Sequence, residues 1–315
     1  MSYRLMYVVI AFLLVVKSTV AAPFSRIVVF GDSLLDAGNV QAMSSGELPP
    51  WPAYYQGRWT NGPVFSDYLA ERLGLPTPEA SRRGGTNYAH SGAETGWDWT
   101  DESITFSVPG MGLQVDDFLA NDSPTDSDLI IIYGGYNDLD PGRQTNARIP
   151  AENVIQHART LYDAGGRHFL IPNLFPDSDP SQNSLRQSFN GWLTFGLSQL
   201  RRDYPVADFY FFNSYDFMID LYNHRGQNGL IFTGHALNMT TGEVAANPNR
   251  YLCWDAPWCH VNTHVHELQA DMIYDKNFAA LPEPSSWSLL VTAMLAWRPR
   301  CKNSIAAAAK HNSFF

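Results

Sequence analysis

The sequence is poor in several things, and each absence excludes a class of protein. Three cysteines in 315 residues are too few for a disulfide scaffold. Basic clusters are missing from the body of the chain, and 21 Lys and Arg against 31 Asp and Glu leave a net charge of −10. That balance argues against a nucleic-acid partner and would repel an anionic polymer. No apolar run reaches the roughly 20 residues of a permanent membrane span. There is no H-E-x-x-H, no internal repeat and no low-complexity linker between Phe24 and Leu281. What remains is 45% hydrophobic and 13% aromatic content, enough to bury the core of one large domain.

Both ends read as addresses. Arg4 precedes an apolar run over residues 5–16, and Val20-Ala21-Ala22 supplies small residues before Pro23, so residues 1–22 are expected to be a secretory signal peptide. Near the other end, Pro282-Glu283-Pro284 precedes an apolar run over 287–297 and then Arg298-Pro299-Arg300. This segment, residues 282–315, resembles the PEP-CTERM sorting signal of exported bacterial proteins. The resemblance implies a secreted or cell-surface protein, transient membrane anchoring, and a sorting enzyme that recognises Pro282, Glu283 and Pro284. The span is short and a tail follows the basic residues, and a surface helix is the alternative.

The stretch Phe30-Gly31-Asp32-Ser33-Leu34-Leu35-Asp36-Ala37-Gly38-Asn39 follows the apolar run Arg26-Ile27-Val28-Val29-Phe30. The run reads as a buried first strand, and Gly-Asp-Ser at its end delivers a hydroxyl to the carboxyl edge of a sheet, where open α/β folds bind ligands. Gly31 permits the sharp exit, and Ser33 is expected near the start of the next helix, where its N–H faces a developing oxyanion. A helix cap is the plainer reading of Asp32 and Ser33.

Further along, Pro, Gly and aromatic density in Trp51, Tyr54, Tyr55 and Trp59 marks an ordered loop, a candidate substrate-lining or packing element. Helices are expected over 64–73, 113–119, 151–164, 185–202 and 263–278. Strands are expected over 128–133, 167–173 and 206–212, with a short one at 86–93 running into the turn at Gly92. Residues 213–250 read as irregular chain. Asn137 closes the 128–133 strand after two glycines and could aim its amide at an oxyanion or form an Asx turn. Strands alternating with helices call for a mostly parallel sheet covered on both faces. Cys253 and Cys259 are close enough to pair across a tight loop or to remain free thiols. His260, His264 and His266 with Cys259 invite a metal reading, but His264 and His266 fall on different sides of a helix.

Taken together, Gly31-Asp32-Ser33-Leu34, Gly92, Gly135-Tyr136-Asn137-Asp138 and the late His260 resemble the four blocks of the GDSL, or SGNH, hydrolase family. Gly57-Arg58-Trp59-Thr60-Asn61-Gly62 and Tyr251-Leu252-Cys253-Trp254-Asp255 are similar to text in its lipase, lecithinase and thermolabile-haemolysin-like branch. The resemblance implies an α/β, flavodoxin-like three-layer sandwich over residues 23–281 with a mostly parallel five-stranded sheet. It implies Ser33 as nucleophile, His260 as general base and Asp255 as the acid that orients it. Oxyanion donors would be the N–H groups of Ser33 and Gly92 and the Asn137 side chain. The chemistry is hydrolysis of carboxylic esters through an acyl-enzyme, with no metal or organic cofactor.

The chain departs from the family in one place. The family usually has its aspartate three residues before its histidine, whereas Asp255 and His260 are five apart. A Cys253–Cys259 disulfide would staple the longer loop and restore the contact. The rival readings are a polysaccharide O-acetyl esterase, a surface or matrix binding protein with impaired catalysis, and a haemolytic membrane-active protein.

Overall fold

The computed structural model describes residues 24–279 except 51, 101–106, 178 and 258. Both terminal addresses lie outside the described residues. Among the described residues no helix is long and apolar enough to cross a membrane.

The strands are β1 (Arg26–Gly31), β2 (Trp99–Thr100), β3 (Val108–Pro109), β4 (Asp128–Tyr133), β5 (His168–Pro172), β6 (Asp208–Phe212), β7 (Phe232–His235) and β8 (Tyr251–Cys253). The helices are α1 (Asn39–Met43), α2 (Phe65–Leu73), α3 (Met111–Asn121), α4 (Arg148–Asp163), α5 (Pro180–Asp203), α6 (Ser214–Asn223) and α7 (Thr263–Asn277). The central sheet runs β1-β4-β5-β6, parallel throughout. Its middle strand β4 is buried along its whole length, as a parallel sheet covered on both faces requires. Helix α2 packs with α7 and against β1, while α3, α4 and α5 form a chain of neighbours that touches β1, β4 and β6. This is the expected three-layer α/β sandwich.

The expected fifth strand is reduced. Residues 86–90 run parallel to the free edge of β1 and bond it through Val29 N–Thr86 O (3.0 Å), Tyr88 N–Val29 O (2.8 Å) and His90 N–Gly31 O (3.1 Å). Only Val29 and Asn87 form a bridge, so the described sheet has four strands and an attached strip. The ladder goes no further because Gly31 N–H donates to Gln114 Oε1 (3.0 Å) and the Tyr88 carbonyl faces the His90 ring at 2.8 Å.

Residues 213–250 are more regular than expected. They contain α6, capped by the Asn213 side chain on Asp216 N–H, and the β7 member of the β7–β8 pair. Three aromatics in ten residues hide the helical period of α6, whose Phe217, Met218 and Leu221 are nevertheless buried. Three of the expected helices, α3, α4 and α5, start earlier than their apolar positions suggest. Pro180 at the first position and Asp179 as cap open α5, a combination that extends a helix into polar sequence.

Candidate active site

The Ser33 turn is built first. Gly31 ends β1 where a β-carbon would lie 2.3 Å from the Tyr133 carbonyl oxygen, so only glycine lets the two strand ends pass. Ser33 does not open a helix as expected. It sits in a single turn closed onto the Asp32 carbonyl by Leu35 N–H (3.1 Å) and Asp36 N–H (3.0 Å), and α1 begins only at Asn39. The Gly92 turn lies beside it and has φ +85°, a left-handed conformation that favours glycine. Among the described residues no protein acceptor meets the N–H of Ser33 or of Gly92. Asn137 follows β4, and its Nδ2 donates to the Ala93 carbonyl at 2.9 Å, which ties it to the Gly92 turn and leaves one amide hydrogen over.

The His260 loop comes from the far end of the chain. Asp255 is fully buried, and its two oxygens stand 2.9 and 2.8 Å from His260 Nδ1. The same carboxylate accepts the His260 N–H at 3.1 Å. The longer spacing therefore does not separate the pair. Cys253 and Cys259 form the disulfide, Trp254 N–H bonds the His260 carbonyl at 2.6 Å, and Cys259 N–H bonds the Asp255 carbonyl at 3.2 Å. Those ties close the chain on both sides of Asp255. Asp32, next to Ser33, is within electrostatic reach of His260.

The aromatic loop behaves differently from a cleft lining. Tyr54 and Trp59 are both 6% exposed. The Tyr54 hydroxyl donates to Asp255 Oδ2 at 2.6 Å, and the Trp59 ring lies 5.4 Å from the His260 ring. Tyr55 is the exposed member, with the Arg58 guanidinium over its ring. Trp51 lies outside the described residues. The loop's polar side chains bracket the histidine: Thr60 Oγ1 donates to the Val261 carbonyl (2.9 Å) and Asn61 Oδ1 accepts Thr263 N–H (2.9 Å). Buried Arg58 pairs with Asp67 at 2.7 Å and fixes the loop to α2.

The histidines of the metal alternative disperse. His264 Nε2 faces the Asn228 carbonyl at 2.8 Å and His266 Nδ1 accepts Phe65 N–H at 3.3 Å. Burial, then the nearby His260, pushes His266 down to about 3, so it packs as a neutral ring. His90 is likewise pushed down by burial, to about 4.

A family model described as GDSL-like Lipase/Acylhydrolase matches residues 27–273. The chain belongs to the GDSL-like lipase/acylhydrolase family. It is a carboxylic ester hydrolase. It is 34% identical over 167 residues to a phosphatidylcholine-sterol acyltransferase of Aeromonas hydrophila, across 51% of this chain and 48% of that protein, so it spans about half the length of that relative. It is 26% identical over 354 residues to a GDSL esterase/lipase of Arabidopsis thaliana, covering 86% of this chain and 90% of the relative. Acetylajmalan esterase 2 of Rauvolfia serpentina is 25% identical over 342 residues, covering 80% and 91%. A lipolytic G-D-S-L family protein of Veillonella parvula superposes with a TM-score of 0.47 at 14% identity, covering 82% of this chain and 100% of that one.

Several buried residues that shape this GDSL-family site carry no obvious chemical signature in the sequence. The Asp36 carboxylate accepts the N–H groups of Gly38 (2.8 Å), Asn39 (2.6 Å), Val40 (3.3 Å) and Ser91 (2.9 Å), locking the serine turn to the Gly92 turn. Gln114 grips both backbone groups of Gly31, at 3.0 and 2.9 Å. Asp138 accepts Thr95 N–H and Oγ1–H, holding the Asn137 turn. The available signal for Asp36 was an Asp two and three residues before Gly38-Asn39, the spacing of an Asx turn.

Asp32 is the exception among these buried acids. Its Oδ1 accepts Leu34 N–H at 3.1 Å, but its buried Oδ2 has no partner among the described residues. Burial pushes this carboxyl up to about 7, against the Leu34 N–H and the His260 charge. Its ordinary value is 3.8, so the folded protein holds an extra proton between about pH 4 and 7 and loses stability from this group as pH rises through that window. Asp32→Asn has no such loss. The stability of Asp32→Asn relative to the parent should therefore rise from pH 5 to 7, by on the order of 1 kcal/mol per pH unit, and level off above. Thermal melts of both proteins check this, and a difference independent of pH would remove the buried proton.

Proposed function

We propose that the protein is an exported bacterial esterase or lipase that cleaves acyl esters through an acyl-enzyme on Ser33. The observation that carries the reading is the contact of His260 Nδ1 with the buried Asp255 carboxylate. A serine hydroxyl is a poor nucleophile until a base takes its proton, and that base must be held in one tautomer. With Nδ1 engaged, His260 presents Nε2 to the serine. Ser33 Oγ attacks the ester carbon as its proton passes to Nε2. The oxyanion forms between the N–H groups of Ser33 and Gly92 and the spare Asn137 amide hydrogen, each such donor being worth about 3–4 kcal/mol. Nε2–H then protonates the departing alkoxide, and a water activated by the same nitrogen releases the acid.

The substrate class is a carboxylic ester with an acyl chain, consistent with relatives named as an acyltransferase acting between phosphatidylcholine and sterol and as an acetylajmalan esterase. Export is supported by the leader-like residues 1–22 and by the Cys253–Cys259 disulfide, which suits an oxidising compartment. Pro282, Glu283 and Pro284 would then serve as the sorting site and the segment behind them as a transient anchor.

Treatment of the full-length protein with a fluorophosphonate probe is expected to leave one covalent adduct, mapping by peptide mass spectrometry to Ser33. A folded protein that takes up no probe, or takes it up on another serine, would overturn the assignment.

A further inference from the structure

Beyond the acid and base, we propose that Tyr54 is a positioning residue of the reaction: its hydroxyl fixes the Asp255 carboxylate in the orientation that holds His260. The proposal rests on the Ser33–His260–Asp255 reading above.

Three donors converge on the buried carboxylate. Two belong to His260, its Nδ1 and its backbone N–H. Both come from one residue, which directly follows the disulfide-closed loop that carries Asp255, so they would move with that loop. The Tyr54 hydroxyl is the third, at 2.6 Å from Oδ2 and 201 residues away in sequence. It is the donor that refers the carboxylate to a different part of the molecule. Its one proton has a second acceptor within reach, the Met239 sulfur at 3.5 Å. A thioether is a weak acceptor, and a charge-assisted bond to a carboxylate is much stronger. Burial and the Asp255 charge hold the phenol well above its ordinary range, so it remains a donor at every working pH.

The ring is itself fixed. It meets Trp59 edge-on at 5.7 Å and Trp254 at 6.1 Å, and Tyr55 N–H bonds the Thr60 carbonyl at 2.9 Å. Trp59 in turn packs against the His260 ring, and Thr60 holds the Val261 carbonyl. One loop thus grips the histidine from its ring side, its backbone side and, through Tyr54, its carboxylate partner. A purely packing role would need the ring of Tyr54 but not its oxygen.

Full-length Tyr54→Phe keeps the ring and removes that oxygen. Loss of a hydrogen bond to a buried charge is expected to lower kcat for p-nitrophenyl butyrate by about tenfold or more, with KM within about twofold of the parent. In an Asp255→Ala background the same substitution should cost nothing further, because its target is gone. Equal losses in both backgrounds, or an unchanged kcat in Tyr54→Phe while Asp255→Ala is impaired, would overturn the role of Tyr54 and leave the triad standing. Full activity in Asp255→Ala would overturn the triad reading itself. If Tyr54→Phe does not fold, 3-fluorotyrosine placed at position 54 preserves the shape and strengthens the donor. A kcat that responds to the fluorine supports the proposal, and an indifferent kcat refutes it.

Discussion

The Ser33→Ala protein is expected to lose turnover of p-nitrophenyl butyrate by at least about 10⁴-fold while melting within a few degrees of the parent. The size follows from what the hydroxyl does: without it no acyl-enzyme forms, and only the oxyanion donors and binding remain, which leaves a small residual rate over water. The small effect on folding follows from its surroundings. Ser33 is half-buried, its turn is closed by backbone bonds to the Asp32 carbonyl and by the Asp36 carboxylate, and neither tie uses its oxygen. Stopped assays at several acyl lengths, with circular dichroism alongside, decide the matter. Retention of more than a few per cent of activity would move the nucleophile elsewhere.

The second large effect is expected from opening the cystine. Cys253→Ser/Cys259→Ser should lower kcat by about 100-fold, because a misplacement of about 1 Å in a catalytic group costs that much. Asp255 lies inside the loop that the bridge closes and His260 directly follows it, and the bridge spans a sequence separation of 6. In the chain-entropy account a loop of that size contributes about 2 kcal/mol, so Tm should fall by roughly 5 °C for a domain of this size. Measuring kcat and Tm on the same preparation separates the two consequences. An unchanged kcat with a lowered Tm would mean that the bonds from Trp254 N–H and Cys259 N–H hold the pair without the bridge, and that the cystine serves stability alone.

The parts of the molecule legible in the sequence were those governed by local rules. The apolar β-branched runs 27–30 and 129–132 announced buried parallel strands because a strand covered on both faces is apolar at every position. Gly31 and Gly92 were readable because backbone that must pass a neighbour, or turn left-handed, admits few residue types. The fifth strand was misjudged because the distant Gln114 side chain takes the Gly31 N–H that would have continued its ladder, and α6 because aromatics blurred its period. The aromatic loop was left open between substrate lining and packing for a deeper reason. Composition shows that Tyr54 and Trp59 are bulky and amphipathic, but whether such a ring faces a substrate or the back of a catalytic loop depends on a partner some 200 residues away.

The same distinction runs through the active site. The sequence by itself determined the candidates for the chemistry: a serine after a strand, glycines and an asparagine at strand ends, and a histidine before the last helix. Those identities follow from what each position must do. Only the tertiary structure decided whether the acid reaches its base, because five residues between Asp255 and His260 allow many loop shapes and the disulfide, the bracket from Thr60 and Asn61, and the Tyr54 hydroxyl select one. Side-chain identity sets which bonds can form, and the closing of the chain on itself sets which of them do.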